Sequence, residues 1–151
     1  MSYIIIKEND FQKARKKIRE FKKENKDIIF SSGDDELNRK VLEKEDIDVF
    51  LINLASRKDR MKQRDSGFNH VLAKIAKKNG VSIGINIDEV ISSKGKEKSE
   101  ILARIRQNIK ICNKNKLKMT FISKSTEKAD TYNLKSLGLV LGMPTWMTKE
   151  L

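Results

Sequence analysis

The sequence predicts an α/β fold in which strand–helix units build a parallel-stranded sheet. Two observations carry this reading. Short apolar runs alternate with longer stretches of helical periodicity, the pattern of βαβ units. The 151 residues also hold no internal repeat, no low-complexity segment and no Gly/Pro/Ser linker, which makes residues 1–151 one domain around one core.

Tyr3 to Ile6 reads as a buried strand. Residues 9–25 place Phe11, Ala14, Ile18 and Phe21 on one helical face, with Asp10 as the cap. Ile28, Ile29 and Phe30 form a second apolar run, closed by Ser31-Ser32-Gly33-Asp34. A short helix follows from Asp35 to Lys44, then a third strand from Val49 to Ile52. Val81, Ile83, Ile85 and Ile87 alternate with Ser82, Gly84 and Asn86, the period of a strand. Residues 97–112 set Ile101, Ile105, Ile109 and Cys112 on one stripe of a helix. Met119 to Ile122 is the fifth strand. Leu134 to Leu141 is the last expected helix, stopped by Gly142 and by Pro144. Crossovers between parallel strands are right-handed, so the sheet either opens into a doubly wound layer or curls toward a barrel. Five strands are too few to close an eight-stranded barrel.

Charge narrows the function. Charged residues make up 36 per cent of the chain, against roughly 25 per cent in an average domain. Lys and Arg number 33 and Asp and Glu 21, a net charge of +12. A compact body with that imbalance repels itself, and a polyanion relieves the repulsion. A lysine-rich surface set by codon usage is the competing explanation. One cysteine, Cys112, excludes an internal disulfide and fits a reducing compartment, so a cytoplasmic location is expected. No stretch reaches the roughly 18 apolar residues of a membrane span.

Enzymatic constellations are sparse. With one histidine, His70, and one cysteine, the chain lacks the ligands that zinc sites use, and no metal or cofactor is expected. Asp34-Asp35-Glu36 and Glu43, Glu45 and Asp46 are the only acidic clusters, and both read as solvated faces. Ser66 precedes His70 by four residues, which on a helix would share a face, and Asp65 could orient the imidazole. Ser66 as the cap of a helix starting near Phe68 is the simpler reading, and no catalytic residue is assigned. Neither GxGxxG nor GxxxxGKS occurs.

Basic clusters are the stronger signal. Residues 57–64 hold five cations, Arg57, Lys58, Arg60, Lys62 and Arg64, and one acid. The segment follows the third strand, at the carboxyl edge where α/β sheets place their ligands. Residues 101–126 hold seven cations and no acid: Arg104, Arg106, Lys110, Lys114, Lys116, Lys118 and Lys124. The expected RNA contacts are Arg57, Lys58, Arg60, Lys62, Arg64 and Lys124. The first helix is as basic, but its acids are interspersed, as on an ordinary soluble helix. Aromatics are only 6 per cent, and Phe11, Phe21, Phe30 and Phe50 fall at core positions, which favours folded or double-helical RNA over stacked single strands.

Arg64-Asp65-Ser66-Gly67-Phe68-Asn69-His70-Val71-Leu72-Ala73-Lys74-Ile75-Ala76 resembles the R/K-D-S-G-x-D/N-H-V-L-A-x-x-A signature of the archaeal p30 family of ribonuclease P proteins. Similarity continues through Asn79-Gly80-Val81-Ser82-Ile83 and Ile85-Asn86. The resemblance covers roughly residues 3–143, with residues 64–87 its specific part. It implies a TIM-barrel-like fold related to polymerase-and-histidinol-phosphatase domains. It also implies a non-catalytic subunit that supports the catalytic RNA in removing the 5′ leader of pre-tRNA. The implied partners are ribonuclease P RNA, a Pop5-type protein subunit and other ribonuclease P proteins, with pre-tRNA met indirectly and no membrane. The implied motif residues are Asp65, Ser66, Gly67 and His70. Relative to the family pattern, the chain starts after preceding βα units and ends soon after Met143, so a partial barrel shortened at its N-terminus is expected. Asn69 stands where aspartate is commoner, and the 57–64 loop is longer than usual. The alternatives are a metal-dependent phosphoesterase, suggested by the fold relation, and a generic basic RNA-binding module.

Overall fold

A computed structural model gives the fold and describes residues 3–124 and 130–151, so the end of the acid-free run at residues 125–126 lies outside them. The strands are β1 (Tyr3–Lys7), β2 (Asp27–Ser31), β3 (Val49–Ile52), β4 (Ser82–Asn86) and β5 (Met119–Ile122). The helices are α1 (Phe11–Lys23), α2 (Asp35–Lys44), α3 (His70–Asn79), α4 (Ile87–Ser92), α5 (Gly95–Lys114), α6 (Thr131–Leu141) and α7 (Thr145–Thr148). Asp10 caps α1 as expected, accepting from the Lys13 N–H at 3.2 Å.

All neighbouring strands are parallel, and their order across the sheet is β1-β2-β3-β4-β5. That order never reverses, so this is not a doubly wound sheet, which needs a switch point. Alternate residues separate two faces. Ile6, Ile28, Phe30, Phe50, Ile52, Ile83, Ile85 and Met119 join the helices in one core. Ile29, Leu51 and Ile122 form a second cluster with Ile5 and Val49, drawn only from strands. These three are at most 6 per cent exposed although no helix covers them. Burial without a covering layer means the sheet curls and packs its inner face on itself, as a barrel does.

Gly84 sits at the centre of that curl. A Cβ there would lie 3.0 Å from Val49 Cγ1 and 3.2 Å from both Ile122 Cγ1 and Leu51 Cδ1. The glycine makes room for its neighbours' side chains, a recognised use of glycine within a strand. At the carboxyl end of the same face, the Asn86 amide donates to Asn53 Oδ1 at 3.2 Å. Asn53 in turn donates to Ser31 Oγ at 2.7 Å. The two edge strands face a cavity of about 610 Å³ lined by Tyr3, Ile5, Lys7, Lys17, Ser123 and Lys124.

Three local expectations change. The alternation was expected to run through Ile87, but Asn86 accepts from the Asp88 N–H at 3.1 Å and starts α4 instead. A cap outweighs one more apolar residue in phase. Gly142, at φ +105°, ends α6, and Pro144 then opens α7, a helix the periodicity does not announce. Proline suits a helix start because no N–H is needed there. Glu45 is not on a solvated face. Its carboxylate is 5 per cent exposed, 3.1 Å from Arg15 Nε and 3.7 Å from Arg19 Nε, and so joins α2 to α1. Among the described residues, no helix is long and apolar enough to cross a membrane.

The inner face provides a test of the curl. Gly84→Val should overpack Val49, Leu51 and Ile122 and destabilise the fold by about 1–3 kcal/mol, read as a lower urea midpoint.

Candidate nucleic-acid interface

The segment between β3 and α3, residues 53–69, builds the site. It has little regular structure, so its shape depends on anchors. At its start, the Leu54 N–H donates to Glu89 of α4 at 2.9 Å. Burial pushes the Glu89 carboxyl above the usual range, against the opposing pull of the backbone N–H groups of Leu54 and Ala55.

The main anchor comes from α5. Arg104 is 2 per cent exposed. Its guanidinium donates to the Leu54 carbonyl at 3.4 Å, the Arg57 carbonyl at 2.9 Å and Asp59 Oδ1 at 3.0 Å. Asp59 Oδ1 also accepts from the Asp65 N–H at 2.9 Å, closing a ring across the loop. That N–H and then the Arg104 charge hold the Asp59 carboxyl below its ordinary value. The pinned ends leave a β-turn from Arg60 to Gln63, in which the Gln63 N–H donates to the Arg60 carbonyl at 3.3 Å. Gln107 of α5 fixes the far side by donating to the Arg64 carbonyl at 3.1 Å.

Between this loop, α2, α3 and α5 lies a groove of about 900 Å³. Five cations line it, Arg39, Arg60, Arg64, Arg106 and Lys110, against three acids, Asp35, Glu36 and Asp65, and His70 faces it as well. The acids are partly engaged already. Asp35 meets Arg57 at 3.2 Å, Asp65 Oδ1 accepts from the Gly67 N–H at 2.9 Å, and Asp65 Oδ2 lies 3.8 Å from Arg60 Nε. The groove therefore presents positive charge to whatever enters it.

The expected RNA contacts divide. Lys58, Arg60, Lys62 and Arg64 are exposed, and Arg60 and Arg64 line the groove. Arg57 faces inward. Its side chain is 14 per cent exposed, its Nε donates to the Asn53 carbonyl at 2.8 Å, and its fork grips Asp35. Arg57 also covers Gly67, where an added Cβ would meet its guanidinium and where φ is +72°. The positive φ is what calls for glycine there. Lys124 is exposed but lines the seam cavity rather than the groove, opposite Lys7, whose ammonium lowers its pKa. Arg104, counted with the basic run, is a buried anchor instead. Its position four residues before Asn108 and three after Ile101 puts it on the apolar stripe, the one signal in the sequence that it is buried.

The motif residues all line the groove. Ser66 does not cap α3; Asn69 does, accepting from the Leu72 N–H at 2.9 Å. Ser66 is 1 per cent exposed, and its Oγ lies 2.6 Å from Asn108 Oδ1 and 3.3 Å from the Phe68 carbonyl. His70 starts α3, exposed, with Nδ1 3.1 Å from the Asn115 amide at the end of α5. Ser66 and His70 are thus committed to different partners and do not form a nucleophile–base pair. Among the described residues, no three His, Cys, Asp or Glu side chains are grouped to hold a metal.

The profile of the family described as RNase P subunit p30 matches residues 2–150. The chain belongs to the RNase P p30 family. Ribonuclease P protein component 3 of Methanococcus maripaludis strain C7 is 30 per cent identical over 146 residues, 95 per cent of this chain and 57 per cent of that protein. The Methanocaldococcus jannaschii protein of the same description is 27 per cent identical over 135 residues, covering 89 per cent of this chain and 54 per cent of its own. This p30 chain therefore spans little more than half the length of the curated relatives it matches. A chain in a cryo-EM structure of archaeal ribonuclease P with mature tRNA superposes with a TM-score of 0.79 at 24 per cent identity. That overlap covers 98 per cent of this chain and 63 per cent of the other, and shows that the two chains share a fold.

The anchor is separable from the surface it supports. Arg104→Gln should loosen residues 57–64 and speed tryptic cleavage there at least severalfold under native conditions. Arg57→Ala should act alike, because both leave buried carbonyls unpaired. Lys58→Ala should leave cleavage at the other loop sites unchanged.

Proposed function

We propose that this chain is a protein subunit of the ribonuclease P ribonucleoprotein that supports the catalytic RNA in removing the 5′ leader of pre-tRNA. The observation that carries the reading is the position of the family signature. Residues Asp65, Ser66, Gly67 and His70 line the same groove as the cations Arg60, Arg64, Arg106 and Lys110. A phosphate backbone of folded RNA suits those cations, since A-form RNA is recognised through its shape and its phosphates. The partners in this reading are ribonuclease P RNA, a Pop5-type protein subunit and further ribonuclease P proteins, all in the cytoplasm. Pre-tRNA is reached through the RNA.

The groove contributes charge in fixed positions rather than a reacting group. Arginine forks approach phosphate in pairs of hydrogen bonds, and their entropy cost falls when the loop that carries them is already held. Ser66 and Asn108 serve that geometry from below.

The direct test reconstitutes archaeal ribonuclease P from its RNA and remaining proteins, with and without this chain, and measures 5′ cleavage of pre-tRNA. Cleavage is expected to depend on the chain, and independence would refute the reading. In titrations with ribonuclease P RNA, Arg60→Ala, Arg64→Ala and Lys110→Ala should each reduce the slope of log affinity against log salt by about 1.

A further inference from the structure

Met61 is the exception among the described methionines. Met119, Met143 and Met147 are buried, at 2, 3 and 0 per cent exposure, whereas Met61 is fully exposed at 100 per cent. It occupies the second position of the Arg60–Gln63 turn, with cations on both sides at Arg60 and Lys62. Asp59 and Arg64, which bracket the turn, are both gripped from α5, by Arg104 at 3.0 Å and by Gln107 at 3.1 Å. A long apolar side chain is thus held out into water on a fixed mount.

We propose that this turn reads folded RNA, with Met61 packing on an unpaired or end-stacked base while Arg60 and Lys62 meet the phosphates on either side. The proposal rests on the RNA-binding reading of the groove and adds the base contact that the groove lacks. Methionine is unbranched and polarisable, makes favourable contacts with aromatic rings, and serves elsewhere as an apolar wedge against bases. Proteins that recognise RNA in detail seek loops and bulges, where a base face is open. The scarcity of exposed aromatics leaves that role without another occupant on this loop.

The surroundings separate an RNA surface from a protein one. The neighbours of Met61 along the chain are Arg60, Lys62, Gln63 and Arg64, and Lys58 lies beyond Asp59, whose carboxylate is taken up by Arg104 at 3.0 Å. Protein interfaces enrich methionine and arginine but centre on apolar patches depleted in lysine, and Met61 has no apolar neighbour on the turn and lysines at 58 and 62. A single apolar side chain ringed by cations suits a phosphate-flanked base instead. The mount also matters, because a turn fixed before binding loses less freedom on binding.

The test uses the full chain and two RNA hairpins, one fully paired and one with a single bulged adenosine, titrated by fluorescence anisotropy at several salt concentrations. The wild-type chain should prefer the bulged hairpin. Met61→Ala should remove the preference, weakening that complex about tenfold, a loss on the scale of one base contact. Its salt slope should stay unchanged, since no phosphate contact is lost. Met61→Leu should retain most of the preference, and Arg60→Ala should flatten the slope for both hairpins. Equal wild-type affinity for the two hairpins, or an unaltered preference in Met61→Ala, would overturn the proposal while leaving the groove as an RNA site. Loss of association with a protein subunit in Met61→Ala, with RNA affinity intact, would assign the tip to a protein interface and also overturn it. Absence of binding to either hairpin would overturn both readings.

Discussion

Arg104 is a charged side chain at 2 per cent exposure, in the middle of the longest helix, donating to two loop carbonyls and one carboxylate. A guanidinium in that setting is costly to bury and costly to remove, because the Leu54 and Arg57 carbonyls it serves would lose that donor. The residues between β3 and α3 have no sheet or helix ladder to define them. They take their path from this one group, together with Arg57 packed over Gly67 and Glu89 at the loop's start. The groove, the exposed turn and the placement of the signature residues all follow from that path. Charge thus plays two opposite roles in one short stretch: inside, it shapes the chain, and outside, it faces solvent.

Much of the architecture was legible in the sequence. The bounds of α2, β3 and β5 match the expected segments, and the stripe of Ile101, Ile105, Ile109 and Cys112 lies buried on α5 as its spacing implies. The elements that were missed are short and governed by capping rather than by periodicity. Asn86 and Pro144 each start a helix too brief to show a period of its own. The choice between a doubly wound sheet and a curled one was not decidable from spacing. It depends on which strands become neighbours, and that became clear only from the sequential order and the self-packed inner face.

Where the basic residues would lie was legible only in part. The signature residues and the basic loop do converge, yet Arg57 and Arg104 lie inside and Lys124 lies at the seam. Counting cations along a chain cannot separate those facing water from those facing carbonyls. A basic residue in phase with an apolar stripe, as Arg104 is, gives a readable sign of the second kind. The Arg57–Gly67 contact gives none, since it joins residues ten apart in sequence through an irregular path.

The strict succession of strands bears on how the chain acquires its structure. Every ladder joins consecutive strands, from Ile5 with Ile29 to Ile83 with Met119, so no pairing skips a unit. Each ladder therefore closes the shortest stretch of chain that can join two parallel strands, which keeps the loop-entropy cost of each step of growth low. The curl then locks the growth, because Gly84 admits Val49, Leu51 and Ile122 to one another only once three strands are in place. In kinetic language, the helix-covered face allows assembly in steps, and the inner face makes its last stage cooperative.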